Sequence, residues 1–473
     1  MAGIGFELRK LLRHDNYLGL LQAYAYAGLI SSGPWILSIL GVLLLGVLSL
    51  SVVIPKFLVT QFQTSVTYLI SSSLILTGFL QPGFTRYISD RLFEQRTDRV
   101  LPNLNGLLLL AICIGGLFAF LIMFFLFPRQ GAVYRLLMVA NFVVLSAIWL
   151  VTILLSGLKE YKVIVGIFGL GYTITLCAGL LLRPFGLDGL MTGFFIGHFV
   201  LLAGMLVVVV RNYPSDRFIE FDFLGRGRIY PSLIWIGFFY NLGIWADKYI
   251  FWFLPETSQP IIGPLRASLI YDLPIFLAYL SIIPGMAVFL VRMETDFVEH
   301  YDKFYDAVRE GGSLSLIRDT RNQMVRTARQ GIFDIIKIQS LATLAVFVAG
   351  PALLELLHMS GLYLPLLYVD VVAAGLQVVL LGLLNVFFYL DKRKPVLLLT
   401  ATFVLLNIVL SWLGIRLGPY FFGYGFALAL LLTNALGMLL LDRDLDRLEY
   451  ETFMLQPSGA KDITRSETNG ESA

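Results

Sequence analysis

Charge is what this chain of 473 residues has least of. Asp, Glu, Lys and Arg make up 14% of it, against 58% hydrophobic residues, and mean hydropathy is +0.80. A soluble domain carries about a quarter charged residues, so the composition excludes one and implies a polytopic membrane protein. Cysteine is nearly absent, and the two present, Cys113 and Cys177, fall inside apolar runs. That excludes a disulfide framework and a thiolate metal site. Four scattered histidines make no zinc cluster, and no P-loop sequence is present, so ATP hydrolysis by this chain is excluded. No cofactor or metal is expected. The net charge of +3 gives no case for nucleic acid, because the cations gather at the ends of apolar runs. The first apolar run is far longer than a signal-peptide core, so no cleavable leader is expected.

What is present begins with an amphipathic lead. Phe6, Leu8, Leu11 and Leu12 share one helical face, and Arg9, Lys10 and Arg13 the other, a pattern suited to an anionic lipid surface. It runs into an apolar stretch at 18–53, longer than the ~20 residues that span a bilayer. Gly33-Pro34 interrupts that stretch and predicts a kink. Gln22, Tyr24, Tyr26, Ser31 and Ser32 precede the kink and suit a wet cavity better than lipid.

Twelve spans are predicted, at about 18–51, 57–84, 104–127, 132–156, 161–182, 188–210, 230–254, 265–291, 332–357, 361–389, 395–415 and 419–441. Short links alternate with longer basic ones. The N-terminus, five links and the tail on one side hold 27 of the 35 Lys and Arg. By the positive-inside tendency that side is cytoplasmic, with both termini on it. A polar stretch at 212–229, broken by Pro214, Gly225 and Gly227, separates a first lobe (1–211) from a second (230–441). The second carries a cytoplasmic loop at 292–331, and a tail at 442–473 follows, largely disordered. The lobes echo each other: Pro82-Gly83 near the end of span 2 recurs as Pro284-Gly285 near the end of span 8. Internal repeats of this kind are common in secondary transporters, with the substrate path between the repeats.

The opening Met1–Leu12, and Ala23–Trp35 after it, closely resemble the PelG family of inner-membrane exporters of the Pel biofilm exopolysaccharide. Length, span number and the large loop between spans 8 and 9 match as well. The resemblance implies a polysaccharide-transporter branch of the multidrug/oligosaccharidyl-lipid/polysaccharide (MOP) flippase superfamily. The fold is then MATE-like, with two six-helix bundles around a central cavity lined mainly by helices 1, 2, 7 and 8. It implies a hexosamine-rich polymer as cargo, a location in the bacterial inner membrane, and no enzymatic activity. Implied partners are the cytosolic Pel glycosyltransferase, the cyclic-di-GMP receptor PelD and the tetratricopeptide protein PelE, beside membrane lipids. The alternative is a lipid-linked oligosaccharide flippase or an ion-coupled small-molecule exporter of the same superfamily.

Ionisable groups within spans are costly in lipid and therefore functional candidates. Asn241, Trp245, Asp247 and Lys248 lie in span 7, and Arg266, Tyr271 and Asp272 in span 8. Helical rise places Asp247 and Asp272 at similar depth, so Lys248 is expected to pair with Asp272 and Asp247 with Arg266. Such pairs serve either as a charged gate or as helix locks. Asp370 in span 10 is either a protonatable coupling group or a carboxylate hydrogen-bonded within its own lobe. Sugars stack on aromatic rings, and the chain has 37 Phe, 22 Tyr and 6 Trp. Tyr24, Tyr26, Trp35, Tyr68, Tyr240, Trp245 and Tyr271 form a possible track, although aromatics also serve as interfacial belts. Gln61, Gln63, Thr64 and Thr67 would add hydrogen-bonding capacity on span 2. Asp334 and Lys337 read as a local ion pair. Asp442-Arg443-Asp444 has the spacing of a glycosyltransferase metal motif but no sheet domain to hold one. The loop at 292–331 reads as two amphipathic helices around Gly311-Gly312, either a docking platform for the synthase or a solvated linker.

Overall fold

A computed structural model describes residues 17–49, 52–158, 161–225, 230–357 and 359–454. The amphipathic lead, Lys159, residues 226–229 of the linker and the tail beyond 454 lie outside these residues. The first half contains α1 (Tyr17–Ser49), α2 (Phe57–Gly78), α3 (Gln81–Phe93), α4 (Val100–Leu126), α5 (Ala132–Gly157), α6 (Tyr161–Leu182) and α7 (Gly186–Asn212). The second contains α8 (Pro231–Phe253), a hairpin of β1 (Gln259–Ile262) and β2 (Leu265–Ala267), α9 (Leu269–Leu280) and α10 (Ile283–Val291). A π-turn at Arg292–Phe297 leads on to α11 (Val298–Arg309), α12 (Leu314–Leu356), α13 (Leu364–Tyr389), α14 (Arg393–Leu417), α15 (Tyr424–Asp446) and α16 (Leu448–Met454).

Seven helical stretches among the described residues are long and apolar enough to cross a membrane, and nine if two bent pairs each count as one span. One of the seven, Lys162–Asn212, holds both α6 and α7, which pack on each other as a hairpin. The two remaining crossings, α2 and α8, are too polar to pass such a test. They pack against each other at the centre of the molecule. A spanning helix that cannot afford lipid on all sides belongs against protein or a cavity.

The Pro-Gly echo has a structural counterpart. α2 stops at Gly78 and α3 restarts at Gln81, with Pro82 in its first turn; α9 stops at Leu280 and α10 restarts at Ile283, with Pro284 in the same place. Proline tolerates the first turn of a helix because its missing N–H has no partner there. Each half thus breaks one helix at the matching point, and the second break is bent by 41°. α1 bends by 64° between its Tyr24–Pro34 and Ile36–Ser49 parts, as the Gly33-Pro34 signal predicts.

Three boundaries differ from expectation. Span 2 ends at Gly78, because the backbone breaks ahead of Pro82. Span 8 does not begin at Leu265: Leu265–Ala267 pair with Gln259–Ile262 as an antiparallel hairpin, turning at Gly263 with φ +53°. The helix that carries span 9 begins at Leu314, ahead of the apolar run expected at 332–357, capped by Ser313, whose Oγ accepts from the Leu316 N–H. The 43-residue α12 is about 65 Å long and carries its first turns beyond the apolar layer. The two amphipathic helices foreseen around Gly311-Gly312 are α11 and this first part of α12, joined where Gly311 takes φ +68°.

Two large buried clusters organise the interior, one drawn mostly from α1–α7, the other from α8–α16. The first also takes in Trp245, Trp252, Ile262 and Leu265, so α8 and the hairpin reach across. On the side of the basic links the halves touch backbone to backbone. A Cβ on Gly237 would lie 2.1 Å from the Gly78 oxygen, and one on Gly28 would lie 3.2 Å from Ile283 Cγ2. The linker is strapped to the start of α4. Glu220 N–H donates to the Pro102 oxygen (3.0 Å), and Arg99 donates to Glu220 (2.8 Å) and Asp222 (3.0 Å).

Two outcomes follow. Gly237→Leu must separate α2 from α8, a steric cost of about 1–3 kcal/mol or more. Thermal unfolding of the detergent-solubilised protein should show a clear drop that Gly83→Ala, whose Cβ meets nothing within 4 Å, does not share. Burial pushes the Glu220 carboxyl up, but hydrogen bonds from Arg217 and Arg99 outweigh it and hold the group below its usual range. The stabilisation is therefore full above the ordinary carboxylate pKa of about 4.3 and is lost as pH falls through the depressed folded value. Hydrogen exchange across 213–225 should rise in that acid window in the wild type, and Glu220→Gln should abolish the step.

Candidate functional site

Away from the glycine contacts, the halves part and enclose a cavity of about 400 Å³. Its walls come from the second half of α1 (Ser38–Val47), α2 (Val59–Ile70), α8 (Trp245, Trp252), β2 and α9, with Leu357 and Met359 at the end of α12. Four spans that the resemblance names as cavity walls are there, and α12 is an addition. Most of the lining is apolar. Ser38 of α1, Thr60, Gln63, Thr64 and Thr67 of α2, and Arg266 and Asp272 opposite, supply its polar part.

The hairpin closes one end. Gln61 Nε2 donates to the Ile261 oxygen (3.0 Å), and the Tyr68 hydroxyl donates to the Arg266 oxygen (2.9 Å). Gly263 lies against the Phe127 ring at the end of α4. The Tyr68 and Trp252 rings stand 4.6 Å apart, tilted by 32°.

Neither expected cross-helix pair forms. Asp272 accepts from Trp252 Nε1 (2.8 Å) and from the Ser268 N–H (3.2 Å). Arg266 turns the other way and donates to Ser258 Oγ and to the Ser258 oxygen, both 2.8 Å away. Lys248 pairs with its own neighbour: Nζ lies 3.0 Å from Asp247 Oδ2 and also donates to the Ile244 oxygen (2.9 Å). The reason is reach. The four-carbon lysine stem folds back along α8, while Asp247 is already claimed by the Tyr271 hydroxyl (2.6 Å) and by Asn407 Nδ2 (3.1 Å). Asp247 and Lys248 are 0% and 1% exposed, and the ammonium lies 4.5 Å from the Phe426 ring centroid, within cation–π range.

Asp370 is buried near this group, and neither of its oxygens has a hydrogen-bond partner among the described residues. The reading in which it is hydrogen-bonded within its lobe therefore does not hold. A proton on Asp370 would bring Asp247, Lys248 and Asp370 to zero net charge.

The candidate residues thus separate into groups. Tyr68, Trp245, Arg266 and Asp272 line the cavity; Asp247, Lys248 and Tyr271 form a buried network behind it, with Asp370 beside them; Gln61 holds the hairpin. Tyr24, Tyr26 and Asn241 lie on the side of the basic links. Tyr24 stands near Arg292, Lys162 Nζ lies 5.7 Å from the Tyr26 ring, and Asn241 donates to the Gly237 oxygen (2.9 Å). Tyr240 is half-buried beside Gln377. The Asp334–Lys337 contact forms at 3.5 Å, but Asp334 also takes Arg292 at 3.0 Å. Sequence reading missed Trp252 and Asn407. Asn407 left a signal, a lone amide in the middle of an apolar span; Trp252 left none among so many aromatics.

The PelG family model, described as "Putative exopolysaccharide Exporter (EPS-E)", matches residues 1–453. No curated protein matches the chain. Among solved structures, a MATE transporter in the bent conformation is 14% identical with a TM-score of 0.64, covering 93% of this chain and 98% of its own. A MOP superfamily transporter from Pyrococcus furiosus is 14% identical with a TM-score of 0.60, covering 90% and 97%. A mutant of the Vibrio cholerae MATE transporter VcmN is 14% identical with a TM-score of 0.59, covering 90% and 98%. At this identity the likeness establishes the fold: a MATE-like, all-α membrane protein with twelve helices in two lobes.

Lys248→Met should destabilise the protein by about 3–5 kcal/mol, because Asp247 is left buried without its cation. Adding Asp247→Asn should recover most of that loss. Thermal unfolding of the two variants checks this; equal losses would mean the pair contributes no mutual compensation.

Proposed function

Because the chain belongs to the PelG family, a family of exopolysaccharide exporters, we propose that it carries a hexosamine-rich polymer across the bacterial inner membrane. The observation that carries this reading is the cavity between the two halves, shut off on one side by the glycine contacts. Alternating access needs such a cavity and such a closure. In this reading the basic side is cytoplasmic, as are both termini, and α11 with the first turns of α12 presents a docking surface to the cytosolic Pel glycosyltransferase, PelD and PelE.

The lining divides the work. Tyr68, Trp245 and Trp252 offer ring faces to sugar C–H groups, and Asp272 with Gln63 and Thr67 offers hydrogen bonds. Arg266, held by Ser258, stays beside them. Asp370 is the coupling group: the unpaired carboxylate takes a proton while Lys248 neutralises Asp247, and the protein around it returns the proton as the cavity changes sides. Asn241, Tyr24, Tyr26 and Tyr271 support this path from the basic half and from behind the wall. The apolar walls favour a second reading, flipping of a lipid-linked oligosaccharide. Radiolabelled sugar recovered in the lipid phase rather than in free polymer would distinguish it.

The test is the location of polymer when this chain alone is removed and the glycosyltransferase is intact. Polymer held inside the cell is expected; a cell making none would overturn the exporter reading. Restored with Asp272→Asn, secretion should fall by roughly tenfold, the worth of one charge-assisted hydrogen bond; with Asp370→Asn, which cannot take up a proton, it should fall at least as far, both at unchanged protein level in the membrane.

A further inference from the structure

His198 sits in the middle of α7, 2% exposed. Its Nδ1 lies 2.8 Å from the Phe194 oxygen and its Nε2 lies 3.2 Å from the Tyr172 hydroxyl. That hydroxyl is 2.8 Å from Ser38 Oγ, and Ser38 is part of the cavity wall. Three residues on α7, α6 and α1 therefore form one hydrogen-bonded chain from the cavity to a buried imidazole.

Counting hydrogens along the chain is informative. A carbonyl oxygen only accepts, so Nδ1 carries a hydrogen. Tyr172 has a single hydroxyl hydrogen, and its geometry aims that hydrogen at Ser38. Nε2 can then face the phenol oxygen only as a second donor, which makes the ring an imidazolium. If the ring is neutral, Tyr172 turns its hydrogen to Nε2 and Ser38 donates to Tyr172 instead. The two states differ by one proton and by the direction of both bonds.

The surroundings supply no competing charge. α7 packs on α6, α5 and α2. From α6, Tyr172 is the titratable group in contact. α5 carries no charged side chain beyond Arg135. Its Asn141 is spent on the Leu137 and Met191 oxygens, its buried Ser146 offers only a neutral hydroxyl, and α2 contributes the Phe62 ring against Phe194. Tyr68 of α2 is committed to the hairpin. Arg135, Lys162, Asp188 and Arg211 stand at helix ends. Burial opposes a charge on His198. The Phe194 ring stacked at 3.8 Å and the two oxygen acceptors act against that penalty.

We propose that His198 is a proton-binding site of the first half, loaded from the cavity through Ser38 and Tyr172. A hydronium ion in cavity water gives a proton to Ser38 Oγ, Ser38 passes its own hydrogen to the Tyr172 oxygen, and Tyr172 passes its own to Nε2. Only O–H and N–H bonds break and form, and one positive charge moves from the water to the imidazole. In either state the Ser38–Tyr172 bond ties α1, four residues past Pro34, to α6, and loading reverses its direction. Gly41 keeps that approach open, since a Cβ there would lie 2.4 Å from the Tyr172 ring. The site is separate from Asp370 and does not depend on the identity of the cargo.

The test uses the full chain in lipid nanodiscs, brought from about pH 8 to about pH 3, a range wide enough to cross histidine charging where burial opposes the charge. Nitrogen-15 imidazole spectra, with the His198 signal assigned by its loss in His198→Gln, should pass from one N–H to two. Ser38→Ala leaves the imidazole in place but removes the acceptor that the loaded state gives the Tyr172 hydrogen, so the same change should move to lower pH in that variant. A His198 ring that keeps one N–H throughout would overturn the proposal. So would a change at the wild-type pH in Ser38→Ala.

Discussion

Gly78 and Gly237 let the backbones of α2 and α8 meet without a side chain between them, and the rest of the molecule is arranged around that contact. Helices in a bilayer have little hydrophobic reason to associate, so small residues that permit close approach decide where they do. Contact at this level on the basic side, matched by Gly28 against Ile283, forces the halves to diverge at the other side. The cavity is the space left by that divergence. Two of its walls, α2 and α8, are the two crossings that could not have faced lipid. Most of its polar lining comes from α2 and, opposite, from the hairpin and α9.

The same economy governs the charges. Asp247, Lys248, Tyr271 and Asn407 satisfy one another in a volume from which water is excluded, and the arrangement fixes α8, α9 and α14 together. Asp370, in the same region, has no such partners among the described residues. A structural carboxylate would be expected to have them. The contrast between a fully satisfied acid and an unsatisfied one, a few residues apart in space, separates the group that holds the fold from the group free to change state.

Much of this was legible from sequence because the bilayer reads only a few features. The kink at Pro34 and the recurrence of Pro-Gly in the two halves were legible and are in the structure; that each Pro-Gly pair breaks its helix, and the changed bounds of spans 2, 8 and 9, were not. Partner choice was not legible. Depth along a helix follows from residue counting, but rotation about its axis does not, so Lys248 and Asp272 at similar depth gave no assurance that they face each other. Consecutive residues on a helix usually point apart, and a lysine folding back onto its neighbour escapes that rule because of its long stem. The hairpin was hidden for another reason: Ile261 and Ile262 read equally well as the edge of a helix, and only the turn at Gly263 separates the two outcomes.

The hairpin is held to α2 through main-chain oxygens, those of Ile261 and Arg266, while both donors are side chains of the other half. The two sides of this seam therefore carry unequal amounts of sequence information. Substitution at 261 and 266 leaves the hairpin presenting the same main-chain acceptors, whereas each donor on α2 has one chemistry and one length. In an evolving lineage the seam would be recorded almost entirely on one strand of its own history, at positions 61 and 68.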